Sequence, residues 1–361
     1  MTMKPNLFAN RRIGLEQSRY FDMWRGGAAI VVLLGHAVPL YFEGEIIFPA
    51  LAGAAVMAFF GLSGFFIHKS LAKNTREGVF VWKEYGAARF NRIIPTFIFA
   101  LFVTWACWAI APMVFQSGTR EYLTPTIRES ISLDGFLRTA LFLNGILGPT
   151  VSANGPLWSL AYEVWFYFGA ALLFLGMTGK RIGWVGLALF PLLFVADPWF
   201  VVWGACWLSG FGVSVLHASD MLGWANRRLM LVSALLPIGG LVLIIAIPDL
   251  WFWTTRLFQV LFSVWFTIHM AETLQSKRLF HSRSIVATAS FSYSLYVVHF
   301  PMLLLFYGID EASYMAVIAV LSILVFAAVV GKWVETIKPF PRPSAVAMAT
   351  RPRQPDDASA S

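Results

Sequence analysis

Apolar positions in this chain fall in long blocks, not in the one-sided stripe of a surface helix. Blocks of roughly 18–22 apolar residues are long enough for a helix to cross a hydrocarbon layer. Ten such blocks predict ten helices, at about 23–42, 47–67, 93–115, 157–176, 183–197, 199–216, 229–247, 252–274, 285–307 and 313–334. The fifth is short and Gly-rich and ends near Asp197-Pro198. The longest connection, 116–156, is too polar to span, and no internal repeat is visible. The pattern divides the chain into a polar lead segment (1–19), a membrane domain (20–338) and a Pro-, Ala- and Ser-rich tail (339–361) read as disordered.

Composition narrows this to one fold class. Hydrophobic residues make up 58% and charged residues 13% of the 361, about half the charge that a soluble domain carries, and the mean hydropathy is +0.69. The expectation is an all-α polytopic membrane bundle in the lipid bilayer. Of the 27 Lys and Arg, 23 fall on one side if the N-terminus is cytoplasmic. That asymmetry predicts an even number of spans with both termini cytoplasmic. The net charge of +8 then reflects topology and anionic lipid, with no nucleic-acid module in view. Cys107 and Cys206 lie inside apolar runs and read as small core residues, with no metal-binding spacing. The first span reads as an uncleaved signal-anchor.

Ionisable groups inside spans are costly, and by default they face a cavity or the bundle interior. Counted along its helix at 1.5 Å per residue, His36 lies about 20 Å from the cytoplasmic face. His299 gives about 21 Å and Glu163, entered from the other side, again about 20 Å. Three polar groups far apart in sequence share one predicted level. Arg25 precedes His36 by eleven residues, three turns down the same helix face and about 16 Å away. Arg89 and Arg92 stand at the cytoplasmic mouth of the third span, and Ser63 lies between Gly61 and Gly64 near the end of the second. Each has a plain structural reading. The glycines suit close helix packing, the arginines suit topology, and Tyr293 and Tyr296 suit packing. His299 would satisfy backbone freed by Pro301. His68, His217, His269 and His281 fall near the predicted cytoplasmic edge and carry no assignment.

In sequence, "FDMWRGGAAIVVLLGHA", "FFGLSGFFI", "RFNRIIPT", "GPLWSLAYEVWFY", "FSYSLYVVHFP" and "WVETIKPF" resemble, in order, the signature elements of the acyltransferase-3 membrane O-acyltransferases. Met23 and Trp24 depart from the family's usual Gly and Leu, and one extra residue before the proline leaves the role of Glu335 open. The chain is similar to the stand-alone form in a bacterial inner membrane. The resemblance implies transfer of an acyl group, commonly acetyl, from cytoplasmic acyl-CoA to a hydroxyl of a glycan or other acceptor. In that frame His36 is the expected general base, with Glu163 orienting it. Arg25, Arg89 and Arg92 would hold donor phosphates, the arm would pass Gly61, Ser63 and Gly64, and His299, Tyr296 and Trp158 would face the acceptor. Intramembrane His and Glu suit a proton-coupled transporter or flippase equally well, and that alternative stays open at this point.

Overall fold

The computed structural model describes residues 5–114, 133–148, 150, 154–277 and 279–340. Most of the 116–156 connection and all but the first two residues of the predicted disordered tail lie outside these. Every predicted block falls on helix. The chain runs through α1 (Leu15–Tyr41), α2 (Ile47–Lys73), a two-stranded antiparallel hairpin of β1 (Thr75–Arg76) and β2 (Val79–Phe80), and α3 (Trp82–Val114). It continues through α4 (Leu133–Ala140), α5 (Leu157–Met177), α6 (Arg181–Ala188), α7 (Pro191–Ala196) and α8 (Trp199–Ala218). Then come α9 (Arg227–Ser233), α10 (Leu235–Ala246), α11 (Trp251–Thr273), α12 (Arg283–Thr288), α13 (Ser292–Ile309) and α14 (Ser313–Phe326). A π-helical turn at Ala327–Gly331 and a last turn, α15 (Lys332–Val334), close the described helices.

Among the described residues, eight helices are long and apolar enough to cross a membrane. The other two expected spans, the fifth and the eighth, differ for local reasons. The predicted 183–197 span is broken into α6 and α7 around Leu189 and Phe190, just before Pro191. Helix α11 has the length, but Thr254, Thr255, Arg256, Gln259 and His269 dilute its apolar character. The result is a polytopic helical bundle.

Small residues set how closely its helices approach. At the α2–α8 crossing, a Cβ on Gly64 would overlap the carbonyl oxygen of Trp207, and one on Gly210 would overlap that of Gly61. Backbone therefore meets backbone, as in small-residue membrane interfaces. Gly64→Val is expected to lower stability by about 1–3 kcal/mol or more through overpacking, read as thermal unfolding in detergent. On the same α8, Gly212 has open space at its Cβ position. Gly212→Ala should be neutral or slightly stabilising; a loss equal to that of Gly64→Val would overturn the seam argument.

Helix α5 begins inside the bundle, not at its surface. Asn154, just before it, is fully buried and donates to Thr104 Oγ1 on α3 and to the Val297 carbonyl on α13, each at 2.9 Å. Val297 is four residues before Pro301, so its carbonyl is the one that the proline leaves without a helical donor. Asn154 supplies that donor, and His299 is not needed for the repair.

Candidate functional site

A cavity of about 460 Å³ opens between α1, α2, α3, α5, α13 and the segment after α15. Its basic end is lined by Arg25, Arg89, Arg92 and Lys338, its flank by Ser63, Glu163, Tyr167 and Tyr293, and its far end by Ser159, Tyr296 and Phe59. The volume falls in the range of small-molecule sites.

Each arginine at the basic end is held differently. Arg92 donates to Glu335 at 2.8 Å and lies 4.8 Å over the Tyr293 ring. The other carboxyl oxygen of Glu335 accepts the backbone N–H of Ser294 at 2.9 Å. Ser294 Oγ in turn donates to the carbonyl of Gly331, the last residue of the π-helical turn, at 3.0 Å. Arg25 pairs with Asp22 one turn earlier at 3.3 Å. Arg89 stands 5.8 Å from both the Tyr85 and Tyr167 rings, and its Nε is buried without a protein partner. Three guanidinium groups converge at one end of a cavity, an arrangement that suits phosphate oxygens. The segment after α15 closes this end. Asn91 Nδ2 donates to the Phe340 carbonyl at 2.6 Å, its Oδ1 accepts the Phe340 N–H at 2.9 Å, and Phe90 packs edge-on against the Phe340 ring.

Along the flank a directional chain ends on Glu163. Trp207 Nε1 donates to Ser63 Oγ at 3.1 Å, Ser63 Oγ donates to the Tyr167 hydroxyl at 3.1 Å, and that hydroxyl donates to Glu163 Oε1. The carboxyl group is thereby fixed in orientation. At the far end, Ser159 Oγ and the Tyr296 hydroxyl are 2.7 Å apart, and Tyr296 also donates to the Pro156 carbonyl at 3.1 Å.

Beyond Tyr296 lies a pair of imidazoles. His299 Nε2 is 3.3 Å from His36 Nδ1, with ring centroids 5.0 Å apart. His36 Nδ1 is also 2.9 Å from the Val32 carbonyl, and His299 Nδ1 is 2.7 Å from the Tyr296 carbonyl. His299 is fully buried, whereas His36 is only partly so. Phe300 meets the His36 ring edge-on at 5.3 Å.

Of the expected residues, Arg25, Arg89, Arg92, Ser63, Glu163 and Tyr296 share the cavity. The common level of the three intramembrane groups holds for His36 and His299, which touch. Glu163 sits instead on the cavity flank, bonded to Tyr167. The depth count failed there because it started at the first residue of α5, and α5 starts at a buried point level with Val297. Gly61 and Gly64 belong to the α2–α8 seam and not to the cavity wall; Leu62 and Ser63 between them reach it. Trp158 packs among Phe60, Tyr162 and Trp203 away from the lining. Sequence reasoning missed Ser159, Tyr167, Tyr293, Lys338 and Phe340. Ser159 was legible four residues before Glu163, one turn along the same helix face; the others carry no signal that distinguishes them from packing or topology.

A family model described as an acyltransferase domain matches residues 18–334. No curated protein and no solved structure matches the chain.

Proposed function

Because the chain belongs to the acyltransferase-3 family, we propose that this membrane acyltransferase moves an acyl group, acetyl in the simplest case, from acyl-CoA to a hydroxyl of a glycan. The observation that carries the reading is the cavity with Arg25, Arg89 and Arg92 at one end and paired hydroxyls beside His36 and His299 at the other. The arginines bind the donor's phosphates, and the pantetheine arm lies along α1 toward His36. The rise of about 16 Å from Arg25 to His36 is of the order of that arm's length.

Acyl transfer needs a base for the acceptor hydroxyl and stabilisation of the oxyanion that forms on the thioester carbonyl oxygen. His36 Nε2 takes the hydroxyl proton as the new C–O bond forms. The C–S bond then breaks, and the same proton leaves with the thiolate as CoA thiol. Ser159 and Tyr296 supply the hydroxyls beside the pair; their protons, held by the Tyr296 oxygen and the Pro156 carbonyl before the donor binds, turn to the oxyanion as it forms. Glu163, held by Tyr167, keeps the flank polar beneath them. The enzyme lies in the inner membrane of a bacterium, and its acceptor is an exopolysaccharide, an O-antigen or a lipid-linked saccharide.

The test uses protein in lipid nanodiscs with acetyl-CoA and a lipid-linked saccharide. CoA thiol should appear only when acceptor is added, and acceptor mass should rise by whole acetyl groups. A protein that moved the saccharide across vesicle membranes while leaving the thioester intact would be a transporter, and this reading would fall.

A further inference from the structure

We propose that His299 is the positioning residue for His36, occupying the place that a carboxylate holds in a serine-type triad; the inference rests on the reading of His36 as base. Carbonyl oxygens only accept hydrogen bonds, so the 2.9 Å contact to Val32 requires the hydrogen of His36 on Nδ1. By the same argument the 2.7 Å contact to Tyr296 puts the hydrogen of His299 on Nδ1. A neutral imidazole carries one N–H, so both Nε2 atoms are lone pairs. The lone pair of His299 faces His36 Nδ1 at 3.3 Å and accepts the second branch of a three-centre bond. One nitrogen of the pair remains uncommitted, His36 Nε2, and it belongs to the ring that is only partly buried.

This arrangement does for His36 what a carboxylate does for a catalytic histidine: it selects the tautomer, holds the ring plane, and accepts from the imidazolium once Nε2 is protonated. The carboxylate available for the task, Glu163, is turned to Tyr167. An imidazole suits the position because His299 is fully buried. A carboxylate there would bring a charge into a site with no cation against it among the described residues, at high desolvation cost; neutral imidazole supplies the lone pair without the charge. His299 is itself anchored through Tyr296, whose hydroxyl is tied to Ser159 and the Pro156 carbonyl. The proline two residues on does not explain it, since Asn154 satisfies the carbonyl that Pro301 frees.

Three variants in nanodiscs test the assignment with acetyl-CoA and the saccharide acceptor. His299→Phe keeps ring volume and removes the lone pair. It should lower kcat on the order of 10- to 100-fold, the worth of one hydrogen bond to a charged group, with donor KM within about twofold. His299→Gln, whose amide oxygen can accept, should recover much of that loss. A purely structural role would instead make both variants lose folded protein in proportion to activity. His299→Phe with wild-type kcat, or His299→Gln no better than His299→Phe when both fold, overturns the proposal. His36→Ala run in parallel separates the two readings: if it stays active, the base assignment itself fails. Nitrogen-15 NMR of histidine-labelled wild-type protein decides the case even if neither His299 variant folds. Protonated Nδ1 and bare Nε2 on both rings support the proposal, and a proton on His36 Nε2 overturns it.

Discussion

His36→Ala is expected to cut acyl transfer on the order of 10²- to 10⁴-fold, the range that a positioned general base contributes, while leaving donor KM within about twofold. The separation follows from geometry. His36 lies three turns along α1 from Arg25, and it is not among the residues that line the cavity. Alanine is the best helix former, so α1 itself should persist. The structural cost is limited to the edge-on contact with Phe300 and the partner lost by His299, together about 1–2 kcal/mol. Rates of CoA thiol release, normalised to folded protein by size-exclusion profile, check it. A variant that keeps more than about a tenth of wild-type kcat would move the base elsewhere, with Glu163 and the Ser159–Tyr296 hydroxyls as the next groups to test.

Arg92→Met carries the second large effect, and it has two parts. The carboxylate of Glu335 is 8% exposed and Arg92 is its cation. Removing one partner of a buried pair leaves an uncompensated charge and costs about 3 kcal/mol. Arg92 is 37% exposed, which places the loss toward the lower end of that range. Replacing both partners, Arg92→Met with Glu335→Gln, removes the stranded charge while keeping an oxygen for the Ser294 N–H, and should return thermal stability to within about 1 kcal/mol of wild type. Donor KM should behave differently. It should rise about tenfold or more in both variants, because a guanidinium hydrogen bond to phosphate is worth roughly 1.5–3 kcal/mol. Melting curves in detergent and acetyl-CoA titrations measure the two parts separately. If the double variant recovered wild-type KM along with stability, Arg92 would be a structural cation only.

Glu335 shows how tertiary contacts changed a residue that the sequence left open. Its motif resemblance was weakened by one extra residue before the proline. In the fold a π-helical turn precedes it, and its two oxygens are taken by Arg92 and by the Ser294 backbone. Ser63 went the other way. It was grouped with two glycines along the path of the donor arm, and the structure splits that group into a helix seam and a hydroxyl on the cavity flank.

The sequence by itself determined the class of the molecule, the helical blocks, the family, and six of the residues that line the cavity. Those are local properties: block length sets span length, the 3.6-residue turn sets which side chains share a face, and charge asymmetry sets orientation. Only the tertiary structure decided that His36 meets His299 and that Glu163 turns to Tyr167. Helical rise locates a group along its own axis, but it says nothing of where that helix begins within the bundle or how it is rotated against its neighbours. Helix α5 starts at a buried asparagine bound to α3 and α13, and small-residue seams set how closely α2 approaches α8. Lateral packing of this kind joins residues hundreds of positions apart, and it made a histidine, not a carboxylate, the neighbour of His36.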